Sequence, residues 1–303
     1  MAVVSLTHVA RRRVHLASTA IPQGRMVELP GRGGATWVTD TPGPSPHSPT
    51  IVLLHALGTT GLLTWFPSIQ PLSERFRVVT LDQRWHGRGI QSEEFSLADC
   101  ADDVAALVQV LDLRDVVVGG YSMGSIVAQR VWRQHPEIVQ GLVLGATTDR
   151  FQLNPAERGF FLGMGTTMLA LRGVSRSRTA LKAARAAARG IDFVPSDMHE
   201  WALREFRSTS PWAVGQALAA LGRHHSRPWL GRIDVPTAVV VMMRDRVIPT
   251  SRQIALARSI PGATMHEVDD GHAGCVLAAD KFVPRFVEAA ATVNARRRDF
   301  RGR

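Results

Sequence analysis

The pentapeptide Gly120-Tyr121-Ser122-Met123-Gly124 carries the strongest chemical signal in the chain. It fits G-x-S-x-G, a pattern common by chance, so its setting is what makes it informative. An apolar β-branched run at 115–121 leads straight into the serine, and a helical pattern with Ile126, Val127, Val131 and Trp132 leads away. A strand, a sharp turn and a helix hold a serine in a strained conformation at a helix N-terminus. Small residues at 120 and 124 let strand and helix approach closely. Backbone N–H groups at that terminus favour developing negative charge. The plain alternative is a turn serine flanked by glycines; the strand-turn-helix context favours a nucleophile.

A serine hydroxyl is a weak nucleophile and needs a base within hydrogen-bond reach. In folds organised around such an elbow the chain order is serine, acid, histidine. Of the eleven histidines, only His266 and His272 lie late enough to follow an acid placed beyond the helical stretch at 149–229. His266 falls in an alternating strand pattern at 263–268, which pins its side chain to one sheet face. His272 follows in the loop Asp269-Asp270-Gly271-His272-Ala273-Gly274, where a base belongs, and is the expected one. The acid must orient the imidazole and stabilise its protonated form. Asp245 ends the apolar run at 237–243 and precedes a helix starting near 249, which places it at the same sheet edge. Asp149, after the preceding core strand, is its rival. For Asp245 the plain alternative is a turn aspartate paired with Arg244 or Arg246.

Two backbone donors are needed for a tetrahedral oxyanion. The N–H of Met123 is one candidate. Leu57, in the loop 55–60 after the third strand, is the other, with Gly58 giving that turn its freedom.

The elements that must position these groups are legible in the hydropathy pattern. Runs at 50–55, 76–82, 115–121, 141–146 and 237–243 read as fully buried strands, and helical stretches lie between them. In 97–113, for example, Val104, Leu107, Val108 and Leu111 follow helical spacing. Such alternation implies a mostly parallel sheet covered on both faces. Segments 25–29 and 36–40 predict an antiparallel hairpin at its start, followed by a loop marked by Pro42, Pro44 and Pro46. From 149 to 229 the pattern is helical only, which predicts a cap inserted between two core strands. The resulting division is an N-terminal extension at 1–22, a core at 23–148 and 230–293, the cap at 149–229 and a basic tail at 294–303. The extension and the tail are expected to be mobile.

The chain has 303 residues, 45% of them hydrophobic, enough for one large domain. No apolar run suits a transmembrane helix. The basic cluster Arg11-Arg12-Arg13 follows the mildly apolar N-terminus instead of preceding it, which argues against a signal peptide. Cys100 and Cys275 make no disulfide framework and suit a reducing compartment, so a cytoplasmic location is expected. The net charge of +10 collects in the two ends and in the 172–189 stretch, while the rest of the chain is slightly acidic. All but Lys182 and Lys281 of the basic residues are arginine. With no recognition motif beside the charge, a solvated basic face is favoured over nucleic-acid binding. No phosphate loop, zinc spacing or dinucleotide fingerprint is present, so no metal or cofactor is expected. His55 and His86 read as satisfied structural histidines, His224 and His225 lack partners at metal-ligand spacing, and Cys275 reads as packed.

The stretch Ala56-Leu57-Gly58-Thr59, Trp65, Phe76-Arg77-Val78-Val79 and Asp82-x-Arg84-x-His86-Gly87 resembles the α/β-hydrolase fold family. The likeness spans roughly residues 25–290 and is nearest the branch with 3-oxoadipate enol-lactonases and related esterases. It implies an α/β architecture with an inserted helical cap and a serine hydrolase working through Ser122, His272 and Asp245. Two departures stand out: Ala56 replaces the commoner glycine after His55, and Trp85 replaces the usual glycine between Arg84 and His86. The apolar stretch Phe160-Phe161-Leu162, with Met164, Met168, Leu169 and Leu171, reads first as cap core. It also offers an acyl pocket wall, for which Phe160, Phe161 and Trp65 are the candidates. The expected partner is a small ester cleaved through an acyl-enzyme. A lactone or an acyl acceptor would use the same residues, and a ligand-binding protein that keeps the fold without turnover is the rival of another class. Oligomeric state is left open.

Overall fold

A computed structural model of the chain describes residues 21–153, 155, 157–163 and 198–301. Most of the N-terminal extension, the 164–171 part of the apolar cap stretch, the basic 172–189 stretch and the last two residues fall outside the described residues. Eight strands form one sheet in the order β1-β2-β4-β3-β5-β6-β7-β8. They are β1 (Gly24–Leu29), β2 (Gly34–Thr41), β3 (Thr50–Leu54), β4 (Arg77–Leu81), β5 (Val116–Tyr121), β6 (Gly141–Gly145), β7 (Thr237–Met242) and β8 (Thr264–Val268). The first two make the expected hairpin, and β2 pairs antiparallel with β4. All remaining pairs are parallel.

Side chains alternate across the sheet, and both faces are covered, which is why the central strands read as unbroken apolar runs. Ile51, Leu53, Val78, Val117, Val143 and Val240 share one core with Leu62, Trp65, Phe282 and Phe286. Those last four belong to α1 (Gly61–Ser73) and to α9 (Ala279–Arg301). Val52, Leu54, Val79, Val118, Leu142 and Val239 share the other core with Val104, Ile126 and Leu256. That face is covered by α2 (Leu97–Val110), α3 (Met123–Gln134) and α7 (Thr250–Ser259). Ser96 starts α2 by accepting from the N–H groups of Ala98 and Asp99. The helix stops short of the expected 113 because Asp112 takes φ 45, outside helical space.

Between β6 and β7 the described residues include α4 (Met198–Arg207), α5 (Pro211–Gly222) and α6 (Arg227–Leu230), with no strand. One isolated bridge pairs Arg150 with His225. The short α8 (Gly274–Leu277) precedes α9. No helix among the described residues is long and apolar enough to cross a membrane, and no metal-ligating cluster occurs among them.

Candidate active site

A Cβ on Gly120 would overlap the backbone of Gly124 and Ser125, and one on Gly124 would overlap the Leu54 carbonyl. Glycine at both positions therefore lets the start of α3 rest against the ends of β5 and β3. Ser122, between them, takes φ 52 and ψ −114, a backbone conformation costing about 1–3 kcal/mol for a residue with a Cβ. The neighbouring strand holds it there: Ser122 N–H donates to the Gly145 carbonyl at 2.9 Å, and Ser125 Oγ accepts from Gly145 N–H at 2.9 Å. Ser122 occupies the N-cap of α3, but its hydroxyl makes no capping bond. It lies 3.0 Å from Nε2 of His272.

The other ring nitrogen of His272, Nδ1, lies 2.7 Å from Oδ2 of Asp245. A carboxylate only accepts, so Nδ1 carries the proton and Nε2 presents its lone pair to the serine hydroxyl. The carboxylate of Asp245 has no exposed surface. Burying that charge is tolerable because every lone-pair direction is used. Its Oδ1 accepts from the N–H groups of Val247 and Ile248 at 2.8 and 2.9 Å, and its Oδ2 also accepts from Gln253 Nε2 at 3.0 Å. Gln253 is itself fixed, since its Oε1 accepts from Met242 N–H at 2.9 Å and its Nε2 donates to the Ile248 carbonyl at 2.8 Å. Sequence reasoning missed Gln253; one polar residue on a helix carries no periodic signal.

The rival Asp149 makes no contact with His272. Its Oδ1 lies 3.3 Å from Thr148 Oγ1 and its Oδ2 lies 3.6 Å from Arg227. Arg244, the suspected partner of Asp245, pairs with Asp269. His266 sits on β8 with Nδ1 3.8 Å from Glu288, away from the serine.

The loop after β3 folds as a turn in which Thr59 N–H donates to the Ala56 carbonyl at 3.4 Å and Gly58 takes φ 74. Such a turn uses the N–H of its fourth residue and leaves that of its second, Leu57, pointing outward. Met123 opens α3, where a first-turn N–H has no intrahelical acceptor. Because Gly124 abuts Leu54, these two N–H groups belong to neighbouring backbone ends. Thr60 caps α1 by accepting from Leu63 N–H at 3.1 Å, and its hydroxyl donates to Glu205 Oε2 at 2.5 Å.

The motif Asp82-x-Arg84-x-His86-Gly87 supports this loop from below. Asp82 accepts from the N–H groups of Gly61 and Arg88, both at 2.9 Å. Arg84 makes a buried two-point contact with Asp103 at 2.6 and 2.9 Å. Trp85 stands where the backbone has φ 66, which explains the preference for glycine at this position in the resembling pattern. Its indole is directed away, with Nε1 donating to Ser92 Oγ at 2.9 Å. His55 is satisfied, accepting from Gln83 N–H at Nε2 and donating from Nδ1 to the Ala56 carbonyl, both at 2.8 Å. His86 is only half satisfied, as its buried Nε2 has no partner. The placement of Trp65 in a pocket wall needs correction. Its side chain has no exposed surface and packs in the core 4.7 Å from the Phe286 ring. Phe160 is half exposed, while Phe161 packs against Phe151 with ring centres 5.5 Å apart. Cys275 is buried, and burial pushes its thiol up to about 12, so it stays a thiol.

The arrangement can transfer a proton from a strained, helix-terminal hydroxyl to a neutral imidazole backed by a carboxylate. Comparisons with known proteins bear on the fold. Residues 49–279 match the family model described as the alpha/beta hydrolase fold. A protein of Agrobacterium fabrum, named as a proposed carbamate hydrolase, is 27% identical over 250 residues, covering 80% of this chain and 93% of its own. The enol-lactonase of Burkholderia xenovorans LB400 superposes with a TM-score of 0.68 at 22% identity, covering 88% of this chain and 100% of its own. A thermophilic esterase of Thermogutta terrifontis gives 0.68 at 22% identity, covering 90% of this chain and 99% of its own.

Proposed function

The chain belongs to the α/β-hydrolase fold family, and on that premise we propose that it cleaves a carboxylic ester with Ser122, His272 and Asp245. One observation carries the reading: a continuous path from Ser122 Oγ through His272 (3.0 Å) to Asp245 (2.7 Å). His272 removes the Ser122 proton as Oγ attacks the ester carbonyl, and the N–H groups of Met123 and Leu57 hold the oxyanion. His272 then gives that proton to the departing alcohol. Water, deprotonated by the same imidazole, attacks the acyl-enzyme and releases the acid. Asp245 keeps the proton on Nδ1 throughout and stabilises the imidazolium that forms twice per cycle.

A cyclic ester or a carbamate presents the same carbonyl to the same residues. The likenesses to an enol-lactonase and to a proposed carbamate hydrolase support including both among the substrates tested. The test is labelling by a small activity-based phosphonate, followed by turnover of graded esters, lactones and carbamates. The Ser122→Ala variant should lose labelling and at least about a thousandfold in turnover while remaining folded. Labelling that persists on another residue, or a folded protein inert to every activated ester, refutes the reading; the second result favours a ligand-binding protein.

A further inference from the structure

Tyr121 ends β5 one residue before Ser122 and is the only tyrosine in the chain. Its hydroxyl donates to the main-chain carbonyl of His272 at 2.8 Å, and its ring centre lies 5.8 Å from the imidazole. The ring is buried at 1% exposure and wedged edge-on against Trp65 and Phe282, at 6.4 and 5.3 Å. The hydroxyl also meets the buried thiol of Cys275. Burial, with Cys275 and Asp245 nearby, pushes the phenol well above its ordinary range, so the group remains a hydrogen-bond donor.

The nucleophile and the base stand on elements that do not touch within the sheet. Ser122 follows β5 and His272 follows β8, with β6 and β7 between them. Registry passed through three strand pairings accumulates slack, and a reacting pair displaced by about 1 Å can lose about a hundredfold in rate. The Tyr121 hydroxyl bypasses those pairings, tying the residue before the nucleophile to the backbone of the base itself. Asp245 fixes the imidazole at its ring nitrogen, and Tyr121 fixes it at its main chain. We infer that Tyr121 is a positioning residue that sets the distance between Ser122 Oγ and His272 Nε2. The inference rests on the proposed roles of Ser122 and His272.

Tyr121→Phe keeps the ring and removes only the hydroxyl, so it should fold, with a melting temperature within a few degrees of wild type. Its kcat should fall about ten- to a hundredfold with KM changed less than about twofold, and phosphonate labelling should slow by the same factor as kcat. A downfield Nδ1–H proton resonance of His272 should broaden or shift in the variant while its circular dichroism is unchanged. Tyr121→Leu, assayed below its own melting temperature, should lose little more than Tyr121→Phe. Wild-type kcat and labelling in Tyr121→Phe, or a loss confined to Tyr121→Leu, overturns the inference by assigning the residue to packing alone. Ser122→Ala separates the two levels. If that variant still turns over, the proposed function fails; if it is inactive and Tyr121→Phe is normal, only the positioning role fails.

Discussion

The main-chain carbonyl of Asp149 accepts the N–H of Ser226 at 2.8 Å and lies 3.1 Å from its hydroxyl. Asp149 stands where the chain leaves β6, and Ser226 stands shortly before it returns to β7, so this contact closes the base of the inserted segment. Ser226 Oγ also donates to Gln129 Oε1 at 2.6 Å, tying that base to α3, the helix with Ser122 at its N-cap. Asp149 thus has a structural task, and its carboxylate is turned toward Thr148 and Arg227.

Asp245→Asn and Asp149→Asn should therefore behave differently. The first leaves the geometry in place but presents the wrong partner to Nδ1, and should cost about three to four orders of magnitude in kcat with a normal fold. The second keeps the main-chain carbonyl that Ser226 uses, and should leave kcat within a few-fold and the melting temperature close to wild type. Steady-state kinetics with thermal unfolding on both variants decides it; the reverse ranking would assign the acid to the other strand, and equal losses would deny Asp245 its special role.

The two aspartates show how far the sequence could be read. Each ends a buried strand, and the choice of Asp245 rested on its place between the 237–243 strand and the helix near 249, at the sheet edge of Ser122 and His272; what separates them is that the Asp245 carboxylate is held by Val247, Ile248 and Gln253 beside His272. The strands themselves were legible, since a strand covered on both faces must be apolar at every position, as β3 is. The elbow was legible because only glycine fits at 120 and 124. Trp65 was misplaced as a pocket residue. Its spacing with Leu62, Ile69 and Leu72 is that of a core-facing helix stripe, and all four share one core. Tyr121 was read as the last residue of a buried strand because a cross-sheet bond to a distant carbonyl leaves no local pattern.

Three buried histidines predict an acid-labile fold. Burial holds His55 at about 4 and His86 and His224 at about 3, all below the ordinary 6.5. Below 6.5 the unfolded chain takes up protons that the native state refuses, so stability is complete above that pH and falls as the pH drops toward 4. Each histidine contributes up to about 1.4 kcal/mol per pH unit across its window. Urea midpoints measured from pH 7 to pH 4.5 should decline accordingly. Both ring nitrogens of His224 are buried without a partner, so His224→Leu should make the decline shallower. A slope unchanged in that variant would show that His224 is charged in the native state.

Glu205 predicts the opposite sign. It comes from α4 of the inserted segment, is 8% exposed, accepts from Thr60 and lies 3.5 Å from Arg88, which also faces the buried Asp82 at 3.6 Å. Desolvation raises Glu205 above its ordinary 4.5, against the pull of Thr60, Arg88 and Arg204 and with the push of Asp82. The native state then binds this proton more tightly than the unfolded chain, so Glu205 costs stability as pH rises through its raised value. Glu205→Gln keeps an acceptor for Thr60 without the charge. Its stability relative to wild type should improve from pH 4.5 to pH 7; a difference that moves the other way would show that Arg88 outweighs burial.

The two phenylalanines expected to shape an acyl pocket should separate in experiment. Phe161 packs against Phe151, and its ring fills the space above Gly222, where a Cβ would overlap it. The same end of α5 is held by Gln152, whose amide donates to the Gly222 carbonyl. Phe161→Ala should therefore loosen this joint, lowering the melting temperature and reducing turnover of all chain lengths alike. Phe160 contacts the Phe161 ring at 5.3 Å but is 52% exposed, so it has apolar surface left for a ligand. An acyl chain gains about 0.8 kcal/mol per methylene buried, roughly fourfold in kcat/KM. Phe160→Ala should thus reduce the medium-to-short ester ratio several-fold, with the melting temperature and labelling by a small phosphonate preserved. An unchanged ratio would place the exposed edge of Phe160 away from the acyl chain, and a falling melting temperature would make it a packing residue like its neighbour.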